Sequence, residues 1–289
     1  LVEPKKFKLL WIDEKAVVDH VEWKLTRHTG IVGLFSPEGE AIDVVFLGPQ
    51  QPDVSYGRKP DGSRNWFFFD TGTPGAANDI TGITWLNRTE VPKFSLAGGM
   101  YSGRQSLELS TSSTNAEIYY TLDGSIPTQK STLYTRSIRL TSTKVVRARC
   151  FEKNRISSPV ITQTFFLNDY HTLPTISIAT NSDHLFDDKI GIYVEGTRGI
   201  QKYCSEVPCN WNQDWERPVS IELYEPDGQL GFRLDAGMKI FGGCSRLRDQ
   251  KSVAIYLRDQ YGPKELFYPL FPDKPIPRFT SFILRNSGN

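Results

Sequence analysis

Apolar positions in this chain come in short runs broken by turn residues. Phe7 to Ile12, Val21 to Leu25, Ile31 to Phe35 and Ala41 to Leu47 are four such runs. SPEG, at Ser36 to Gly39, separates the last two; its glycine tolerates a positive φ, so a hairpin is predicted there. KPDG, at Lys59 to Gly62, predicts another turn. Leu107, Glu108 and Leu109 alternate, as do Val146, Arg147, Ala148, Arg149 and Cys150, which puts apolar and charged side chains on opposite strand faces. TLDGSIPT turns at Asp123 and Gly124, with Pro127 just beyond. Ile176 and Ile178 alternate with polar neighbours, and SDHLFD predicts one helical turn capped by Ser182 or Asp183. The run from Glu216 to Gly243 predicts a long hairpin turning at PDG. Val219, Ile221 and Leu223 face one side of it, and Ser220, Glu222 and Tyr224 face the other.

Composition agrees with short strands rather than long helices: 23 glycines and 18 prolines are scattered along the chain, aromatics are 12% and methionine occurs twice. The predicted fold class is mainly β. A length of 289 residues suits two or three domains, and pattern changes divide the chain into residues 1–79, 80–168 and 169–289. The formal net charge of +1 creates no global field, so neither nucleic acid nor an anionic membrane surface is expected as partner. Without a run of eighteen apolar residues, no membrane span is expected in this segment. The sequence starts at Leu1 without a signal-peptide pattern and stops at Asn289 just after an apolar strand, which reads as a piece of a longer protein.

Cys204 and Cys209 are separated by SEVP in a polar loop. They could close a small disulfide ring or remain two free thiols, and spacing leaves both open. Four cysteines without CxxC spacing, and His20, His28, His171 and His184 far apart, make no metal-ligand set. Asp187 and Asp188, adjacent on a turn, do not make one either.

Three resemblances follow from these residues. His20, Trp23, Lys24, Gly33, Asp43, the SYGRKPDGS stretch, Trp66 and the TPG at Thr73 to Gly75 resemble the C-terminal half of a lamin-tail domain, an immunoglobulin-like β-sandwich. The family implies binding or display, and Ser55, Arg58 and Asp61 then read as a hydrogen-bonded turn tying strands together. Tyr119, Tyr120, Asp123, Gly124, Pro127, Tyr134, Val146, Arg147 and Ala148 resemble the chitobiase/β-hexosaminidase C-terminal-type module, a fibronectin-III-like sandwich. Sugar binding through Tyr119 and Tyr120 together is disfavoured, because adjacent strand residues point to opposite faces; a spacer is the plainer reading. Over residues 169–289, the motifs LPTISIAT, LFDDKIGIYVEG, RPVSIELYEPDG, GMKIFGGCSR, KSVAIYLRDQYG and FTSFILRNSGN resemble the N-terminal portion of the CotH kinase family, the spore-coat protein H-like kinases. That resemblance implies an incomplete α+β kinase-like N-lobe behind two β-sandwiches.

Phosphoryl transfer needs cations on the phosphates, a metal held by carboxylates and a base for the acceptor hydroxyl. Gly242 and Gly243 let the backbone pass close to an anion as a nest of N–H groups. Arg246 follows, and Lys251 opens the strand KSVAIYLR, where a lysine would hold ATP phosphates as in ordinary kinases. Lys251, Arg246, Gly242 and Gly243 are therefore the candidate nucleotide-binding residues. The alternative is a solvated face: Lys239, Arg246, Arg248, Lys251 and Arg258 beside Asp249 and Asp259, making weak surface ion pairs. No GxGxxG motif helps decide.

No catalytic residue or metal ligand is visible. The resemblance places the metal and base carboxylates after Asn289, so the chain alone is expected to be inactive, with ATP and Mg belonging to the intact parent. Implied partners are a protein substrate or cell-surface component, with a glycan as a further possibility, outside the cell or at the envelope of a bacterium. The competing reading is a non-catalytic surface binding or structural protein, carbohydrate-associated in one version.

Overall fold

The computed structural model describes residues 5–12, 18–23, 25–26, 28–202 and 204–286. Lys24 of the lamin-tail resemblance and the last three residues of LRNSGN lie outside these. Contacts divide the chain into two units, residues 1–88 with 153–157, and residues 89–152 with 158–289. Most of the second segment read from the sequence, residues 89–152 and 158–168, falls in one unit with residues 169–289.

The first unit is built from strand pairs. β1 (Trp11–Ile12) lies parallel to β2 (His20–Val21), and β3 (Gly30–Phe35) pairs antiparallel with β4 (Ala41–Leu47). β5 (Ser55–Arg58) pairs antiparallel with β6 (Trp66–Phe69). The SPEG turn closes as predicted, with Gly39 at φ +88° and its N–H donating to the Ser36 carbonyl at 3.0 Å. The KPDG turn joins β5 to β6, with Gly62 at φ +73°. Arg58 makes a two-pronged ion pair with Asp43 at 2.6 and 2.8 Å, tying one hairpin to the other, and Asp61 accepts the Asn78 N–H at 3.3 Å. These contacts match the turn-and-tie reading of Arg58 and Asp61.

In the second unit, residues 93–152 and 158–167 form a β-sandwich. β7 (Lys93–Phe94) pairs with β10 (Leu109–Ser110), and β9 (Gln105–Leu107) with β13 (Ile138–Leu140). A five-stranded sheet runs in the order β12 (Thr132–Leu133), β11 (Glu117–Thr121), β14 (Lys144–Phe151), β15 (Ile161–Leu167), β8 (Gly99–Tyr101). Leu107, Leu109, Ile118, Ile138, Leu140, Val146, Ala148, Cys150 and Phe165 from both layers share one core.

A second five-stranded sheet, antiparallel throughout, follows in the order β16 (Thr175–Ala179), β17 (Arg217–Tyr224), β18 (Leu230–Ile240), β19 (Val253–Tyr256), β22 (Ser281–Leu284). The short pair β20 (Leu266–Phe267) and β21 (Arg278–Phe279) lies before β22. Val219, Ile221 and Leu223 enter the core of this sheet with Leu234, Met238, Ile240 and Ile255, as the alternation predicts. The β17–β18 turn also forms at PDG, with Gly228 at φ +84°.

The opposite face of β17 departs from expectation. Ser220, Glu222 and Tyr224 are 3%, 1% and 0% exposed, because the sandwich packs over them. Burying such groups is tolerable only with partners, and Glu222 and Tyr224 have them. Thr164 of β15 donates its hydroxyl to Glu222 at 2.5 Å, and Tyr224 Oη donates to Glu222 at 2.9 Å. Since that hydroxyl proton is used on the carboxylate, Ser177 is the donor across its 2.7 Å contact with Thr164 Oγ1. Arg233 completes the set with an ion pair to Glu222 at 2.6 Å. Arg147, expected on a charged outer face of β14, is likewise buried and donates to Thr162 Oγ1 at 3.2 Å and the Gly124 carbonyl at 2.8 Å.

The helical turn α1 (Ser182–Phe186) forms where SDHLFD places it, but its cap is Asn181, not Ser182 or Asp183. The Asn181 side chain makes no capping bond. It accepts the Ile126 N–H at 3.0 Å, serving the sandwich instead of the helix.

Candidate functional site

β18 ends at Ile240, and a glycine bend redirects the chain before β19 begins. Gly242 adopts φ +110°, a left-handed conformation that favours glycine. A 3-10 turn follows over Cys244–Leu247. These elements bring Gly242, Gly243, Arg246 and Lys251 together, as the sequence suggests, but they bind one another and not an open anion site.

Arg246 is 6% exposed. Its Nε donates to the Gly242 carbonyl at 2.6 Å and its Nη1 donates to the Trp211 carbonyl. Lys251 is 9% exposed, and its ammonium donates to the Arg246 and Arg248 carbonyls at 2.7 and 2.9 Å. The Nζ also lies 4.0 Å from the Trp211 ring centre and 5.4 Å from that of Tyr193. An ammonium has three donors; two go to carbonyls and the remaining side meets an aromatic face. Burial holds the Lys251 ammonium below the usual lysine range, with Asp249 acting in the opposite sense.

The solvated-face reading does not hold for Lys251 and Arg246: both are buried, with donors on carbonyls of the loop that carries them. The flanking cations do make surface pairs: Arg258 meets Glu216 at 2.9 Å and Lys239 meets Asp214.

The disulfide also differs from the pairing proposed on spacing. Cys204 is bonded to Cys244, across a separation of 40 residues, and Cys209 is a buried free thiol. Local spacing cannot register that the glycine bend returns Cys244 to the Cys204 loop. The backbone of Cys209 pairs with Ile200 in an isolated bridge, and its Sγ–H donates to the Val207 carbonyl at 3.2 Å. Burial raises its thiol pKa. Asn210 and Asn212, almost wholly buried, hold the same loop: Asn210 Nδ2 donates to the Asp188 carbonyl, and Asn212 Nδ2 to Ser205 Oγ at 2.8 Å. Asp187 caps its own turn, accepting the Lys189 and Ile190 N–H groups at 2.8 and 2.9 Å. Those two bonds pull its carboxyl below the usual range. Among the described residues no three His, Cys, Asp or Glu side chains are placed to share a metal ion.

Beside Lys251 a cleft of about 290 Å³ opens on the apolar face of the sheet. Ile178, Leu185, Met238, Val253 and Leu284 make its floor, while Tyr193, Gln250, Lys251, Arg285 and Asn286 supply polar groups. Asn286 is fixed, donating from Nδ2 to the Gln250 carbonyl at 2.7 Å and accepting the Ser252 hydroxyl at 2.9 Å. Arg285 is exposed and has no ion pair or hydrogen bond among the described residues. Sequence reasoning passed over it, although it stands in the LRNSGN motif that carries part of the CotH resemblance.

On the sandwich, Tyr119 and Tyr120 point to opposite faces. Tyr119 donates to Glu117 at 3.0 Å and meets Phe151 edge-on. Tyr120 packs against the core and meets Tyr134 edge-on. A joint platform is therefore absent, as adjacency on a strand requires.

Residues 96–162 match the chitobiase/beta-hexosaminidase C-terminal domain family, which covers the sandwich and not the Lys251 cleft. No curated protein matches the chain.

Proposed function

We propose that residues 169–289 form the nucleotide-facing part of a CotH-type kinase, with the β modules before them displaying it at a bacterial envelope or outside the cell. Residues 1–79 serve in this reading as a lamin-tail-like display module. The observation that supports it is the cleft. Its apolar floor suits a flat base, and Gln250, Asn286 and Arg285 at its edge suit a hydrogen-bonding ligand with an anionic tail. Arg285, not Lys251, is the cation offered to phosphates. Lys251 and Arg246 act one step behind, setting the shape of the Gly242–Asp249 loop. No carboxylate lines the cleft, so no step through magnesium is assigned here.

Calorimetric titration of the chain with ATP and with adenosine tests this. ATP should bind more tightly than adenosine. Arg285→Ala should weaken ATP about fivefold, the worth of one solvent-exposed ion pair, and leave adenosine unchanged. No heat or backbone shift up to millimolar ATP would overturn the reading. The chain would then be a non-catalytic surface or structural protein, with the carbonyl bonds of Lys251 and Arg246 serving folding alone.

A further inference from the structure

A second groove, of about 600 Å³, lies at one end of the sandwich sheet, between the turn after β11 and the start of β14. Tyr120 and Leu122 form its floor, and both are anchored in the sandwich core. The polar groups around it are Asp123, Lys130, Thr132 and Lys144. Their state is opposite to that of Lys251 and Arg246. Lys130, Thr132 and Lys144 are exposed and have no hydrogen bond or ion pair from their side chains among the described residues.

The rim is nevertheless rigid. Asp123 Oδ1 accepts both the N–H and the hydroxyl of Ser125, at 3.0 and 2.6 Å, which leaves Oδ2 directed elsewhere. Thr121 Oγ1 donates to the Ser125 carbonyl at 2.6 Å, and Arg147 clamps the Gly124 carbonyl from below. The Ser125 bonds lower the Asp123 carboxyl below the usual range, so it is a fixed acceptor at neutral pH.

We infer that this groove binds a saccharide carrying a carboxylate. The half-buried Tyr120 and Leu122 offer apolar surface for sugar C–H groups. The free carboxylate oxygen and the Thr132 hydroxyl suit vicinal hydroxyls, and two ammonium groups against one carboxylate leave a net positive site for a uronate. The inference rests on the sandwich alone and is independent of the kinase reading.

The test is a titration of the isotope-labelled chain with a tri-galacturonate, and separately with the neutral chitotriose. Expected are backbone shifts confined to residues 120–132 and 144, at least tenfold tighter binding of the galacturonate, and a further tenfold loss in Lys130→Ala/Lys144→Ala. Both lysines are exposed, so this variant should fold; an unchanged amide spectrum checks that. Absence of shifts with either sugar at 10 mM-scale concentration, equal affinity for the two, or indifference to the double substitution overturns the inference.

Discussion

Thr164 of the sandwich donates its hydroxyl to Glu222 of the following sheet, 58 positions further along the chain, at 2.5 Å. With Tyr224 and Arg233 on the same carboxylate, this contact makes the two layers one unit. Glu222→Ala removes the carboxylate, leaving the Tyr224 hydroxyl only the Thr164 carbonyl at 3.2 Å and the Arg233 guanidinium without its ion-pair partner. The expected loss is about 3 kcal/mol, with about 1 kcal/mol for Thr164→Val. Urea midpoints read it, and a Glu222→Ala midpoint equal to wild type would remove the network from the account.

His184 stands near this junction. Its Nδ1 lies 2.9 Å from Thr180 Oγ1, whose own proton goes to the Pro218 carbonyl at 2.7 Å, so the ring nitrogen is the donor. Burial first, then the charge of Arg217 and more weakly of Arg147, lower its pKa, with Asp183 opposing. The unfolded chain therefore binds this proton at a higher pH than the folded one. The contribution to stability is present above the unfolded value near pH 6.5 and is lost as pH falls through the lower folded value. Unfolding free energies between pH 7 and pH 5 should fall more steeply in wild type than in His184→Gln; parallel slopes would contradict this.

The Cys204–Cys244 bond closes a loop across a separation of 40 residues. Loop-closure entropy puts its worth at about 4 kcal/mol in the unfolded-chain picture. Cys204→Ser should lower the urea midpoint accordingly. Non-reducing peptide mapping should return a 204–244 link, with Cys150 and Cys209 alkylated only after unfolding. Burial drives the Cys150 thiol up to about 11, which also makes it unreactive. A 204–209 link in the map would restore the pairing suggested by spacing.

Lys251→Met keeps much of the side-chain volume and deletes the ammonium. Two carbonyls, those of Arg246 and Arg248, then lose their donor. A loss of about 2 kcal/mol is expected, together with faster hydrogen exchange over residues 242–250. Lys251→Arg should not restore the wild type, because a planar guanidinium cannot meet both carbonyls and the Trp211 face from one nitrogen. Unchanged exchange in Lys251→Met would show that the ammonium does not hold the loop.

Local chemistry was legible wherever it was self-contained. SPEG, KPDG, the Asp123 turn and the PDG of the long hairpin all fold where their glycines allow a positive φ. The alternation along β17 assigned Val219, Ile221 and Leu223 to one core. The candidate site was legible as a place and not as a function. Gly242, Gly243, Arg246 and Lys251 do meet, yet their donors go to backbone carbonyls, while Arg285 at the cleft was passed over.

The sequence by itself determined that this is a β protein of short strands, where its tight turns lie, and that residues 96–162 carry a recognisable sandwich module. The tertiary structure alone decided that Glu222 and Arg147 are buried, that Cys204 meets Cys244, and which cations remain available to a ligand. The reason is physical. Periodicity and φ preferences act between near neighbours, whereas burial and donor satisfaction depend on which distant surface closes over a strand.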